Sequence, residues 1–146
     1  MNTNEFVFRL TCAMGVGLLI GFERQWHHKS AGLRTNTLVA TGSALYVLLS
    51  IEMTKTSGDV TRIMGQVVTG VGFLGAGIIF KEGNSVHGLT TAATVWCSSA
   101  LGCIAAAGYY GEAYIAAFAI IVVNTLMKPL DVWLANRGKV NKENED

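Results

Sequence analysis

Long apolar runs, interrupted only by short polar stretches, organise this sequence. Runs of roughly 17–25 apolar residues can cross the hydrocarbon of a bilayer as helices. Five segments read this way, near 6–22, 37–51, 63–80, 89–108 and 113–127. The expected fold is all-α, a polytopic transmembrane helix bundle of about five spans. Residues 1–128 form the transmembrane domain, and 129–146 form a polar tail expected to be frayed, because it is charged and lacks an apolar pattern. The loops are short, so no separate soluble domain is expected among them. The first run has no basic stretch before it and ends in Gly21-Phe22-Glu23-Arg24, which reads as a retained span rather than a cleaved signal.

The second run is the shortest, and the distribution of cations supports it. With five spans, Arg24, Lys29, Arg34, Lys81, Lys128, Arg137, Lys139 and Lys142 fall on one side, and only Arg9, Lys55 and Arg62 on the other. Omitting the second span makes the division nearly even. Lys and Arg mark cytoplasmic loops, so the amino terminus is expected outside and the carboxyl terminus in the cytoplasm. Arg9, near the outer end, is expected to snorkel toward the headgroups.

On a helical wheel of the third span, Ile63, Met64, Val67, Val71, Leu74 and Ile78 gather on one side. Gly65, Thr69, Gly72 and Ala76 lie opposite, flanked by Gln66, Gly70, Gly75 and Gly77. Close helix packing in membranes uses small residues, so the small set is expected to face protein and the large set lipid. In the fourth span Thr90, Thr94 and Ser98 recur every fourth residue beside Thr91 and Cys97, a hydroxyl stripe expected to face those glycines.

Composition agrees. Hydrophobic residues make up 51% of the 146 and charged residues 14%; there are 17 glycines, well above the usual ~7%, mostly inside apolar runs, and a single proline. The net charge of +1 comes without a basic stripe, so nucleic-acid binding is not expected. Cys12, Cys97 and Cys103 fall in apolar stretches without metal-ligand spacing and read as buried thiols.

Little in the chain suggests catalysis. Gly70-Val71-Gly72-Phe73-Leu74-Gly75 spells a dinucleotide fingerprint, but it lies inside an apolar run without the strand, helix start and acidic residue that motif needs. Glu23, Glu52, Glu82 and Glu112 flank span ends and no carboxylate is mid-span, whereas proton and divalent-cation paths usually place carboxylates inside the bundle. Neighbouring His27 and His28 point different ways on a helix and make a poor metal site. No enzyme, cofactor or metal is expected. The candidate partner or solute contacts are Glu23, Arg24, Arg34, Gln66, Thr90, Thr91, Thr94 and Asn124. Each has a structural alternative: a helix-end ion pair for Glu23 and Arg24, hydroxyls bonded to their own helix for the threonines, and interhelical glue for Asn124. The expected packing residues are Gly65, Thr69, Gly70, Gly72, Gly75, Ala76 and Gly77.

Three motifs then carry a resemblance: Gly21-Phe22-Glu23-Arg24-Gln25 with Ala31-Gly32-Leu33-Arg34-Thr35; Gln66-Val67-Val68-Thr69-Gly70-Val71-Gly72-Phe73-Leu74-Gly75-Ala76-Gly77; and Gly88-Leu89-Thr90-Thr91-Ala92-Ala93-Thr94-Val95-Trp96. In this order and spacing they resemble the MgtC/SapB family of bacterial membrane proteins, from about Gly17 to Ala106. The resemblance implies a multi-pass protein of the bacterial cytoplasmic membrane, linked to magnesium homeostasis and to virulence through survival inside host cells. It implies regulation of other membrane machinery, with the proton-driven ATP synthase or a P-type cation ATPase as partners. Many members also carry a soluble carboxyl-terminal domain, whereas this sequence stops soon after the fifth span. Thr90 stands where some members have Asn, which weakens transfer of any partner-binding role of that residue. Two functions are therefore expected to compete: a non-enzymatic regulator working among lipid, as a homo-oligomer or with a larger partner, and a small oligomeric transporter or channel for Mg²⁺ or another solute.

Overall fold

In the computed structural model the described residues are 1–54 and 58–143, with the side chains of 131, 132 and 135–143 outside the description. Lys55 and the last three residues of the tail therefore lie outside it. Each apolar run forms a helix: α1 (Thr3–Trp26), α2 (Leu33–Met53), α3 (Val60–Ile78), α4 (Leu89–Ala106) and α5 (Tyr110–Glu143). Among the described residues, four are long and apolar enough to cross a membrane: Thr3–Trp26, Leu33–Met53, Leu89–Ala106 and Tyr110–Leu130. The short second run is among them. The third is not, because Arg62, Gln66 and five glycines dilute its apolar content.

Local chemistry sets the boundaries. Asn2 and Asp59 cap α1 and α3, each accepting a hydrogen bond from a main-chain N–H two residues on. His28, at φ 54°, ends α1 in the left-handed region. Gly88, at φ 89°, opens α4, and a Cβ there would sit 2.2 Å from the Ile78 carbonyl oxygen. Only glycine fits that turn.

Two expectations about the elements need correction. The loop after α3 is a hairpin, with β1 (Phe80–Glu82) antiparallel to β2 (Ser85–His87) and Phe80 opposite His87. The third apolar run therefore ends as helix at Ile78, and the fold is helical with one small two-stranded ribbon. The tail also differs, because the backbone of α5 stays helical through Pro129 to Glu143 instead of fraying.

Helices α1, α2, α4 and the start of α5 share one core, with Val16, Ile20, Val47, Leu48, Leu101 and Ala105 at its centre. The ends are tied as well. The amino-terminal ammonium of Met1 meets Glu52 at 2.9 Å, and Arg9 donates to the Ala106 carbonyl at 2.7 Å while pairing with Glu5. Arg9 thus closes the end of α4. Large apolar side chains cover the outside, including Phe73 at 82%, Ile115 at 72% and Phe118 at 69% exposure. Such a surface would be a liability in water and is ordinary in lipid.

Close approaches between helix backbones are made by glycines of α1 and α4. Added methyls would lie 2.8 Å from the Thr37 Cα at Gly17, 2.6 Å from the Leu33 Cα at Gly21, and 2.1 Å from the Ala40 carbonyl oxygen at Gly102. All three contacts are with the backbone of α2.

The expected faces of α3 are reversed in the chain's own packing. Val67, Val71 and Gly75 are its buried residues, and Val67 and Val71 pack against Ala31 and Val95. Of the glycines in the expected packing set only Gly75 meets a neighbour, with Ala92 Cβ 3.8 Å from an added methyl. Gly65, Thr69, Gly70, Gly72, Ala76 and Gly77 are exposed, and nothing lies within 4 Å of a methyl built on any of those four glycines. The wheel finds two faces, but protein and lipid are both apolar, so size alone does not decide which face turns inward.

Candidate functional site

The polar residues of α1 and α4 face each other at the end of the bundle where α1 stops and α4 begins. Glu23 and Arg24, in the last turn of α1, are 8% and 2% exposed. Arg24 donates from Nη2 to the Thr91 hydroxyl at 2.8 Å, and its Nε is buried without a partner. Glu23 accepts from the Asn124 amide at 3.4 Å, and His27 Nδ1 lies 3.1 Å from its Oε1. The same His27 nitrogen is 2.9 Å from the Glu23 main-chain carbonyl, a contact that a neutral Nδ1–H ring also makes.

The ladder continues along α4. Thr94 lies 3.3–3.4 Å from the Asn124 side chain and donates to the Thr90 carbonyl at 2.8 Å. Ser98 donates to Asn36 Oδ1 at 2.8 Å, while the Asn36 amide donates to the carbonyls of Ala31 at 2.8 Å and Gly32 at 3.0 Å. Ser43 and Ser99 share a 2.7 Å hydrogen bond. Four helices are thereby joined by bonds through their interiors. Buried polar groups that are bonded rigidify a fold, and those left unbonded destabilise it.

Five of the expected contact residues therefore come together: Glu23, Arg24, Thr91, Thr94 and Asn124. Three do not. Arg34 is exposed on α2, Thr90 is exposed and joins only through its carbonyl, and Gln66 is exposed on α3. The hydroxyl stripe faces α1, α2 and α5 rather than the glycines of α3, which meets α4 through Ala92 and Val95 instead. Asn36, fully buried, is the member that sequence reasoning missed, together with the Ser43–Ser99 pair. Asn36 lies just before the apolar stretch of the second span, and a polar residue at a span edge gives no sign of which way it turns.

The arrangement is a clamp. Nearly every donor and acceptor is used inside the chain, so the cluster holds helices in register, and Glu23 beside Arg24 keeps it close to neutral. Among the described residues no three His, Cys, Asp or Glu side chains gather to hold a metal ion. A double-mutant cycle on Ser43→Ala and Ser99→Ala should give a coupling of about 0.6 kcal/mol, the average for membrane interhelical bonds. The measurement is unfolding in mixed micelles. Strict additivity would mean that the bond contributes nothing.

The profile of the MgtC family matches residues 10–133. The chain belongs to the MgtC family. This MgtC-family chain is 55% identical over 121 residues to the protein MgtC of Brucella abortus, covering 83% of the chain and 50% of the relative. It is 47% identical over 123 residues to the protein MgtC of Salmonella typhimurium, 84% of the chain and 52% of the relative. An uncharacterized protein of Synechocystis is 44% identical over 145 residues, 99% of the chain and 62% of the relative. The chain thus spans about half to three fifths of the curated relatives it matches. No solved structure matches it significantly. With its four membrane-length helices, the chain is a membrane protein of the MgtC type.

Proposed function

We propose that this chain is a non-enzymatic regulator in the bacterial cytoplasmic membrane that docks on larger membrane machinery through α3. One observation carries the reading. Gly65, Thr69, Gly72 and Ala76 form an exposed small-residue face, and methyls added at Gly65 and Gly72 meet nothing within 4 Å. Such faces let another helix approach closely, and van der Waals packing then supplies the affinity that the hydrophobic effect cannot supply in lipid. The polar clamp supports the same reading, because it holds α1, α2, α4 and α5 as a platform on which α3 is borne. Conduction is less well supported. The groove beside α3 is lined chiefly by Leu38, Val39, Tyr46, Val67, Val71 and Leu74, which offer an ion no replacement for its water.

In this reading all five helices cross or enter the bilayer, the amino terminus is outside, and Arg34, Lys81 and the tail are cytoplasmic. The machines to test first are those implied by the family resemblance, the ATP synthase and a P-type cation ATPase, with a second copy of the chain as the remaining candidate. Gly72→Leu tests the proposal directly. Its side chain projects into open space, so the unfolding midpoint should stay at the parent value while membrane proteins that copurify in mild detergent are lost. An unchanged set of copurifying proteins, or unchanged ATP-synthase and pump activities on deleting the gene, contradicts it.

A further inference from the structure

A groove runs between α2 and α3, on a side of α3 different from the docking face. Its body holds about 550 Å³ and is walled by Leu38, Val39, Tyr46, Val67, Val71 and Leu74. Gly42 and Gly70 open it further, since a methyl built on either meets no atom within 4 Å. A second cavity of about 550 Å³ adjoins it, sharing Tyr46, Ile63 and Gln66, and reaches the end where α2 stops and α3 starts. Volumes of roughly 300–1,000 Å³ are typical of specific small-ligand sites.

The mouth differs chemically from the body. Beside the apolar Leu49 and Met53 it adds Ser50, Thr54, Asp59 and Arg62. Ser50 is 4% exposed, and its hydroxyl is buried without a hydrogen-bond partner. That oxygen is closed off from the cavity, so Ser50 meets the groove through its other atoms. Arg62 and Asp59 stand at the same mouth and form no ion pair within 4 Å among the described residues. The hydroxyl of Thr61 above all, then its main-chain N–H and the Arg62 cation, hold the Asp59 carboxyl below its ordinary range. One end of the groove therefore presents a cation and an anion, and the rest is chiefly apolar.

We propose that this groove binds one zwitterionic phospholipid. An acyl chain lies along the α2–α3 wall, the phosphate sits at Arg62, and the headgroup ammonium sits at Asp59. Arginine suits phosphate because its planar fork donates two parallel hydrogen bonds. A partner helix fits less well. It would leave the Arg62 and Asp59 charges at the mouth unanswered. An anionic lipid would satisfy Arg62 but would repel Asp59.

Native mass spectrometry of the chain released from nanodiscs of mixed phosphatidylethanolamine and phosphatidylglycerol tests this. The expected result is one retained phosphatidylethanolamine per chain, preferred over phosphatidylglycerol. Arg62→Gln should weaken retention roughly tenfold, as expected for one lost charge-assisted bond. Gly70→Leu fills the groove from α3 and Gly42→Leu from α2, and each should remove the lipid while unfolding as the parent does. Gly72→Leu, on the docking face, should keep it, so the two proposals fail independently. Equal retention of phosphatidylglycerol, no retained lipid, lipid undiminished in both groove-filling variants, or a second copy crosslinked into the groove would overturn the proposal.

Discussion

Gly102→Val should leave almost no stably folded protein. A Cβ at residue 102 would lie 2.1 Å from the Ala40 carbonyl oxygen, 2.8 Å from its carbonyl carbon and 2.9 Å from its Cα. These are backbone atoms, so no rotamer change makes room, and α2 and α4 must separate. The separation strains both bonds beside the contact, Asn36–Ser98 and Ser43–Ser99. Overpacking alone costs about 1–3 kcal/mol, and losing two buried bonds adds to it. A loss of at least about 3 kcal/mol is expected, at the severe end for one substitution. Even Gly102→Ala should destabilise, because the clash is with the first side-chain carbon. Gly65→Ala is the control, since its methyl meets nothing and alanine favours helix by about 1 kcal/mol over glycine. Unfolding midpoints in mixed micelles provide the comparison. Equal effects at 102 and 65 would mean that α2 and α4 do not approach closely at Gly102.

The second large effect is expected at Arg24. Removing its side chain leaves Glu23 buried without its neighbouring cation and leaves the Thr91 hydroxyl without its donor. Breaking a buried ionic arrangement from one side costs about 3–5 kcal/mol, because the remaining charge is stranded. Arg24→Leu should therefore unfold far more easily than the parent, and adding Glu23→Gln should recover part of the loss by removing that charge. Arg24→Lys keeps the cation beside Glu23 and should fall between the parent and Arg24→Leu. A double variant no more stable than Arg24→Leu alone would show that charge is not what Arg24 balances.

Those two residues show what was legible in the sequence. The positions of all five helices followed from apolar runs, because lipid requires each span to satisfy its own backbone. The motif around Glu23 and Arg24, and the hydroxyls of α4, pointed to residues that do meet. That α3 turns its small face away from its own bundle has a physical origin. Its glycines outnumber those of any other helix, yet the Cβ positions of four of the five are open, while Gly17 and Gly21, one helical turn apart in α1, and Gly102 in α4 press on the backbone of α2. Spacing identified small faces without saying which helix would fill them. The hairpin carried a readable signal in Gly83-Asn84, a two-residue turn of the kind that joins antiparallel strands. Asn36 and Ser43 carried none, because their partners are residues of another helix more than fifty positions away.

That α3 turns its small face outward, toward another membrane protein, is tested most directly by a photoreactive amino acid placed at position 72 in living cells. The expected product joins this chain to a second membrane polypeptide, while the same probe at Ile115, a lipid-facing position on α5, gives none. Crosslinks from position 72 that run only to α2 or α4 of the same chain would place the small face inside the bundle and contradict the account.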